Sequence, residues 1–162
     1  ALNGIPAIGV SLDTINPEAD FSAVRKFFPD IFRKLMENMT LDPGIFYNVN
    51  FPNIPAEQIK GIRVGHQGMG RWVREFREWD PSIYRKYGIT PEDLGQSSSP
   101  KLEPGEKLYM MVGDFLDDDR NDSRADHRIM NDGYISIVPD NLDSTDYEEA
   151  KRLGKAGFDI DF

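Results

Sequence analysis

Apolar residues along this chain follow two rhythms, one of buried strands and one of amphipathic helices. Residues 5–12, Ile5-Pro6-Ala7-Ile8-Gly9-Val10-Ser11-Leu12, are apolar with little alternation. They predict a strand buried on both faces, as in a parallel sheet, with Pro6 tolerated at its start. Ala1-Leu2-Asn3-Gly4 before it reads as the last turn of a helix, closed by a left-handed Gly4. The chain therefore reads as opening in mid-fold. From 21 to 39, Val24, Phe27, Phe28, Ile31, Phe32, Leu35, Met36 and Met39 recur three and four apart, with Arg25, Lys26, Arg33, Lys34 and Glu37 between them. This spacing predicts a helix capped by Asp20 and kinked or split at Pro29.

After Pro43-Gly44, residues 45–50 read as a second strand, and 61–66 as a third following the breaks at Pro52 and Pro55. Between Gly68 and Gly105 the pattern loses regularity. Trp72, Phe76, Trp79 and Ile83 have helical spacing, yet aromatics interleaved with charges equally suit an exposed β-hairpin. Residues 107–113 and 134–139 read as strands, the latter opened by Gly133. Thr145-Asp146-Tyr147-Glu148 has the form of a capping box and predicts a helix over 146–153. The class is α/β.

Composition narrows the options. The 162 residues include no cysteine, which excludes a disulfide framework, a zinc ribbon and a thiol nucleophile. Twenty-eight acidic against 19 basic side chains give a net charge of −9, which argues against a nucleic-acid duplex as partner. No apolar run approaches the ~20 residues of a membrane helix, and no secretory signal is recognised. The expectation is a cytoplasmic domain without a membrane partner.

The acidic run Asp117-Asp118-Asp119-Arg120-Asn121-Asp122 invites a calcium-loop reading and fails it. The sixth position is Asp122 rather than glycine, and Arg128 stands where a bidentate glutamate belongs. A solvated acidic loop fits better, with Asp126 as the N-cap of a short helix ending before Gly133. His66 and His127 stand isolated, without metal-ligand or triad spacing. Gly65-x-x-Gly68-x-Gly70 has the wrong order for a dinucleotide turn. Asn38-Met39-Thr40 matches a glycosylation acceptor but carries little weight without a secretory signal. One positional argument remains: ligands of open parallel sheets sit beyond the carboxyl ends of strands. Ser11 and Asp13 follow the first strand, and Asn50 and Asn53 the second. They suit an oxyanion or a sugar hydroxyl, and equally serve as caps and turn formers.

Several segments together resemble the survival protein SurE family. They are residues 2–12, Tyr47-Asn48-Val49-Asn50-Phe51-Pro52, residues 59–64, Leu108-Tyr109, Asp126, the run Asp132-Gly133-Tyr134-Ile135-Ser136-Ile137 with Pro139, and Leu142-Asp143 with Thr145. Their order and spacing carry the match across nearly the whole chain.

The resemblance implies a Rossmann-like, SurE-type core (its C-terminal part) with a protruding β-hairpin arm and a C-terminal helix. It divides the chain into core at 1–67, arm or insertion at 68–107, and last strands with a segment exchanged between subunits at 108–162. The implied activity is metal-dependent hydrolysis of nucleoside 5′- and 3′-monophosphates or other phosphomonoesters, by a homodimer or tetramer. Magnesium or manganese would polarise the phosphoryl oxygens. The family's metal ligands, an Asp-Asp pair with a Ser and an Asn, belong to the part preceding the match to Ala1, so no position here receives them. Ser11, Asn48, Asn50 and Asp126 are the expected substrate-binding residues. Two departures from the pattern are Val138-Pro139-Asp140, where Thr-Pro-Leu is usual, and a longer stretch between Gly70 and Lys107. The alternative is a non-catalytic oligomerisation or binding module of the same fold.

Overall fold

The computed structural model describes residues 3, 5, 7–38, 44–119 and 121–160. The expected turn at Gly4, the end of the first helix at Met39, and Pro6, Thr40, Pro43 and Arg120 lie outside them.

A four-stranded mixed sheet forms the body. β1 (Ala7–Leu12) runs parallel to β2 (Ile45–Phe51). The last strand of the chain inserts antiparallel against β2, and β3 (Ile62–Val64) then pairs parallel with it. On one face Leu12, Val49, Phe51 and Ile135 bury against Ile31, Val24, Phe27, Phe28 and Leu35 of α1 (Ser22–Asn38). Period-two alternation puts Ser11, Asn48, Asn50 and Ser136 on the other face.

Two expectations for this half are corrected. β1 is an edge strand among the described residues, with Gly9, Val10 and Ser11 exposed rather than buried on both faces. α1 runs unbroken through Pro29. The proline lies on the exposed side, so the Arg25 carbonyl that loses its donor can bond to water instead. Asp20 accepts from the Ser22 amide and hydroxyl at 2.8 Å each, and so organises the first turn.

The region of mixed signals is a twisted ribbon. β4 (Arg71–Val73) and β5 (Phe76–Glu78) run out, and β6 (Tyr109–Met111) and β7 (Asp114–Leu116) return, pairing β5 with β6 and β4 with β7. Between the two ladders Arg74 adopts φ 55°, a left-handed conformation that non-glycine residues rarely take. The hairpin reading holds for Trp72 and Phe76. The strand expected over 107–113 is shorter and belongs to the ribbon, not to the main sheet. At its tip Tyr84, Ile89 and Met110 form a small core of their own with Trp79, Ile83 and Val112.

α2 (Asp126–Asn131) follows the acidic loop and packs on β8 (Ile135–Asn141), burying Ile129 and Val138. Gly133, at φ 83°, makes the turn between them. Asp126 is the first helical residue rather than the N-cap, a position held by Ala125 without a side-chain bond. The final helix, α3 (Tyr147–Leu153), is capped one residue later than expected. The Asp146 carboxylate, not the Thr145 hydroxyl, accepts from the Glu149 amide at 2.9 Å. No described helix is long and apolar enough to cross a membrane.

Candidate functional site

Register brings three of the four expected site residues together. Ser11 lies opposite Asn50 on β2, and Asn50 lies opposite Ser136 on β8. The Ser11 hydroxyl donates a short hydrogen bond to Asn50 Oδ1. Ser11 is exposed, Asn50 is 9% exposed and Ser136 is fully buried, so the row runs from surface to interior. Asn48 occupies the next row down, opposite Gly9 and Val138. A Cβ on Gly9 would meet Asn48 Oδ1 at 3.8 Å, an ordinary contact. The Asp13 amide donates to the Phe51 carbonyl at 2.9 Å, joining the ends of β1 and β2 beside the row. The arrangement offers hydroxyl and amide groups at the carboxyl ends of two parallel strands, a setting suited to a polar, hydroxyl-bearing ligand.

Asp126 is not part of this group. It lies towards the other end of β8, near Asp140, and its carboxylate accepts from the Gly68 amide at 3.1 Å and the His127 amide at 2.7 Å. Burial, then the neighbouring Asp126 charge, push the Asp140 carboxyl above its usual range.

Sequence spacing missed a second cluster, at the root of the ribbon. His127 Nε2 lies 3.0 Å from Asp117 Oδ1, and Arg128 donates to Asp117 Oδ2 at 2.7 Å. The His127 bond, followed by Arg128 and the Asp119 amide, holds the Asp117 carboxyl down at about 2 against the cost of its partial burial. Asp119 Oδ2 accepts from the Met69 and Gly70 amides, the latter at 3.0 Å. His66 Nε2 lies 2.9 Å from Asp122; the Gln67 carbonyl, then Asp122, raise the imidazole's pKa. The available signal was the run Gly65, Gly68, Gly70. A Cβ on Gly65 would collide with the Arg124 carbonyl and Ile129, one on Gly68 with the His127 ring, and one on Gly70 with Phe115. These glycines mark close approach of two chain segments.

Asp117, Asp119 and His127 each present a ligand atom within 4.8 Å of the others, which raises the question of a divalent cation. The donor set does not fit one. The Asp117 oxygens are bound to His127 and to the Arg128 guanidinium, and Asp119 is bound to two backbone amides. A cation here would face a fixed positive charge and carboxylates already saturated. The adjoining depression, lined by Asp117, Asp118, Asp119, Asn121 and Asp122, is acidic and repels a phosphate.

The mixed sheet with a polar row at the carboxyl ends of β1 and β2, α1 on one face and a β-ribbon defines an α/β protein. Residues 1–74 match the family described as survival protein SurE. Over 96% of its length the chain is 35% identical to a protein of Syntrophobacter fumaroxidans named 5′-nucleotidase SurE, covering 52% of that relative. A protein of the same name from Christiangramia forsetii is 31% identical over 94% of the chain, with 50% of its own length covered. The crystal structure of a SurE protein from Aquifex aeolicus shares the fold at a TM-score of 0.63 and 24% identity, over 94% of this chain and 52% of that one. The chain is thus similar to SurE proteins along almost its whole length and spans about half the length of the curated relatives it matches.

Proposed function

We propose that the protein to which these 162 residues belong is a cytoplasmic hydrolase that releases phosphate from nucleoside 5′- and 3′-monophosphates or related phosphomonoesters. The observation that carries this reading is the similarity to relatives named 5′-nucleotidase along 96% of the chain. The Ser11–Asn50 pair, with Asn48 beside it, supports the reading as a binding floor. In this reading a hard divalent cation, magnesium or manganese, polarises the phosphoryl group. No described cluster of this chain fits that cation, so the residues here are assigned binding and positioning alone. Ser11, Asn48 and Asn50 hold polar groups of the substrate. Asp126, bonded to Gly68 and His127, anchors the ribbon instead. Phe76 and Met111, paired on the ribbon and 71% and 73% exposed, suit a contact between copies in a homodimer or tetramer.

The test is phosphate release from nucleoside monophosphates by the full-length protein, with and without a chelator. Loss of activity under chelation and recovery with magnesium or manganese is the expected result. Hydrolysis that persists under chelation overturns the metal-dependent mechanism. The second reading, a non-catalytic assembly module, draws on the lack of a fitting cation cluster among the described residues. Absence of phosphate release under every metal condition would favour it.

A further inference from the structure

The two faces of the main sheet differ in a way that burial does not require. Against α1 the buried positions are Leu12, Val49, Phe51 and Ile135, all apolar. On the opposite face the row Ser11, Asn50, Ser136 carries a polar group at every position, although Ser136 is fully buried and Asn50 nearly so. The Ser136 hydroxyl has no hydrogen-bond partner. Leaving such a group unsatisfied costs stability, which an alanine at the same place would avoid. Orphan buried polar groups in folded proteins call for a reason other than packing.

Hydrogen-bond capacity along the row supplies that reason. The Ser11 proton is committed to Asn50 Oδ1, so the Ser11 oxygen keeps its lone pairs for an incoming donor. With Oδ1 turned to Ser11, the Asn50 amide nitrogen points its two protons elsewhere, and no described residue accepts them. Adjacent positions thus offer one acceptor and one donor. That is the complement of a hydroxyl group, which donates once and accepts. The row continues on β3 with Arg63, opposite Ser136, but that guanidinium lies 4.1 Å over the Tyr134 ring and donates to the Ile62 carbonyl. A phosphate would call for cationic or charge-assisted donors, which Ser11, Asn50 and Ser136 are not. Ser136 lies across the ladder from Asn50, about 4.8 Å away by strand spacing. Side chains directly opposite across a ladder are neighbours, so the hydroxyl, unbonded in the free chain, would accept one Asn50 amide proton once a substrate is held.

We propose that the Ser11–Asn50 pair recognises a sugar hydroxyl of the nucleotide, with Ser136 as the positioning residue for the Asn50 amide. This deepens the nucleotidase reading and rests on it. A site built to bond a hydroxyl rejects the analogue that lacks it, because its own buried polar groups are then left unpaired.

The experiment compares kcat/KM of the full-length protein for a ribonucleoside monophosphate with its 2′-deoxy and 3′-deoxy analogues. The wild type should favour the ribonucleotide over at least one analogue by about tenfold or more. Asn50→Ala should bring that ratio close to one, by losing more kcat/KM on the ribonucleotide than on the deoxy analogue. Ser136→Ala should narrow the ratio through KM at an unchanged or higher melting temperature, since it removes a hydroxyl without a protein partner. An active wild type that treats the sugars alike overturns the inference and leaves the nucleotidase reading standing. So does a Ser136→Ala protein that melts earlier with its sugar preference intact. A wild type inactive on every nucleotide overturns both.

Discussion

Gly68 and His127 are packed so closely that a Cβ on the glycine would overlap the imidazole ring. Two residues along, a Cβ on Gly70 would overlap Phe115, whose ring stacks edge-on against His127 at 5.2 Å. The Gly68, Met69 and Gly70 amides all donate to carboxylates, of Asp126 in the first case and Asp119 in the other two. The ribbon therefore leaves the sheet through a root fixed by backbone bonds to acidic side chains, with no side chains on the glycines to hold the segments apart.

Gly68→Ala should lower stability by about 1–3 kcal/mol, the usual cost of forcing a methyl group into a filled site. The damage should concentrate at the root and at α2, which carries Asp126 and His127 and packs on β8. Urea unfolding gives the loss, and amide exchange should show reduced protection at residues 68–70 in particular. A variant with wild-type stability would mean the His127 ring moves aside freely.

Asp117 gives the root its dependence on acid. Its carboxyl is held at about 2, below the ordinary carboxylate value, first by His127. A depressed folded-state pKa adds stability above the unfolded value, and that contribution is lost as pH falls through about 2. Asp117→Asn should therefore be less stable than the wild type between about pH 5 and 7, with the gap closing towards pH 2. Denaturant melts across that range check it, and a gap independent of pH would assign the loss to packing.

Asp140 has the opposite sign. Burial and the Asp126 charge raise its pKa, so the ionised form weakens the fold at neutral pH and the penalty fades as the group protonates on acidification. Asp140→Asn should raise the melting temperature at pH 7 and lose that advantage below about pH 4. A variant that melts lower than the wild type at pH 7 would show that the carboxylate is paired in solution.

What could be read from the sequence follows from how local each signal is. The helical phase of α1 rests on neighbours three and four residues apart, and Ser11 with Asn50 follows from the rule about strand ends. The pairing of Arg71–Val73 with Asp114–Leu116 joins segments about forty residues apart, which no local pattern encodes. His127 looked isolated although Asp117 is only ten residues away, because the irregular acidic loop between them gives no periodic spacing that would bring the two together. Ser136 went unassigned because a serine within an apolar strand carries no sign of what lies opposite it. The β1 expectation failed on neighbours too: an apolar run records that a strand suits burial, not whether described residues bury it.

α1 gives the sharpest test of phase, because its two faces meet at Pro29. Ile31 is 4% exposed and packs with Leu12, Val49, Phe51 and Ile135, while the adjacent Phe32 is 46% exposed. A helix that broke at Pro29 could restart with a different face inward, exchanging the surroundings of Ile31 and Phe32. In an unbroken helix, Ile31→Ala leaves a cavity in the main core and should cost about 2–5 kcal/mol. Phe32→Ala should cost clearly less, since it removes a ring that is half in water and touches Phe28 at a 6.0 Å centroid distance. Urea midpoints of the two variants, measured side by side, decide the matter. Equal losses, or a larger one at Phe32, would mean that the helix changes phase at the proline and that the packing of the sheet's α1 face must be redrawn.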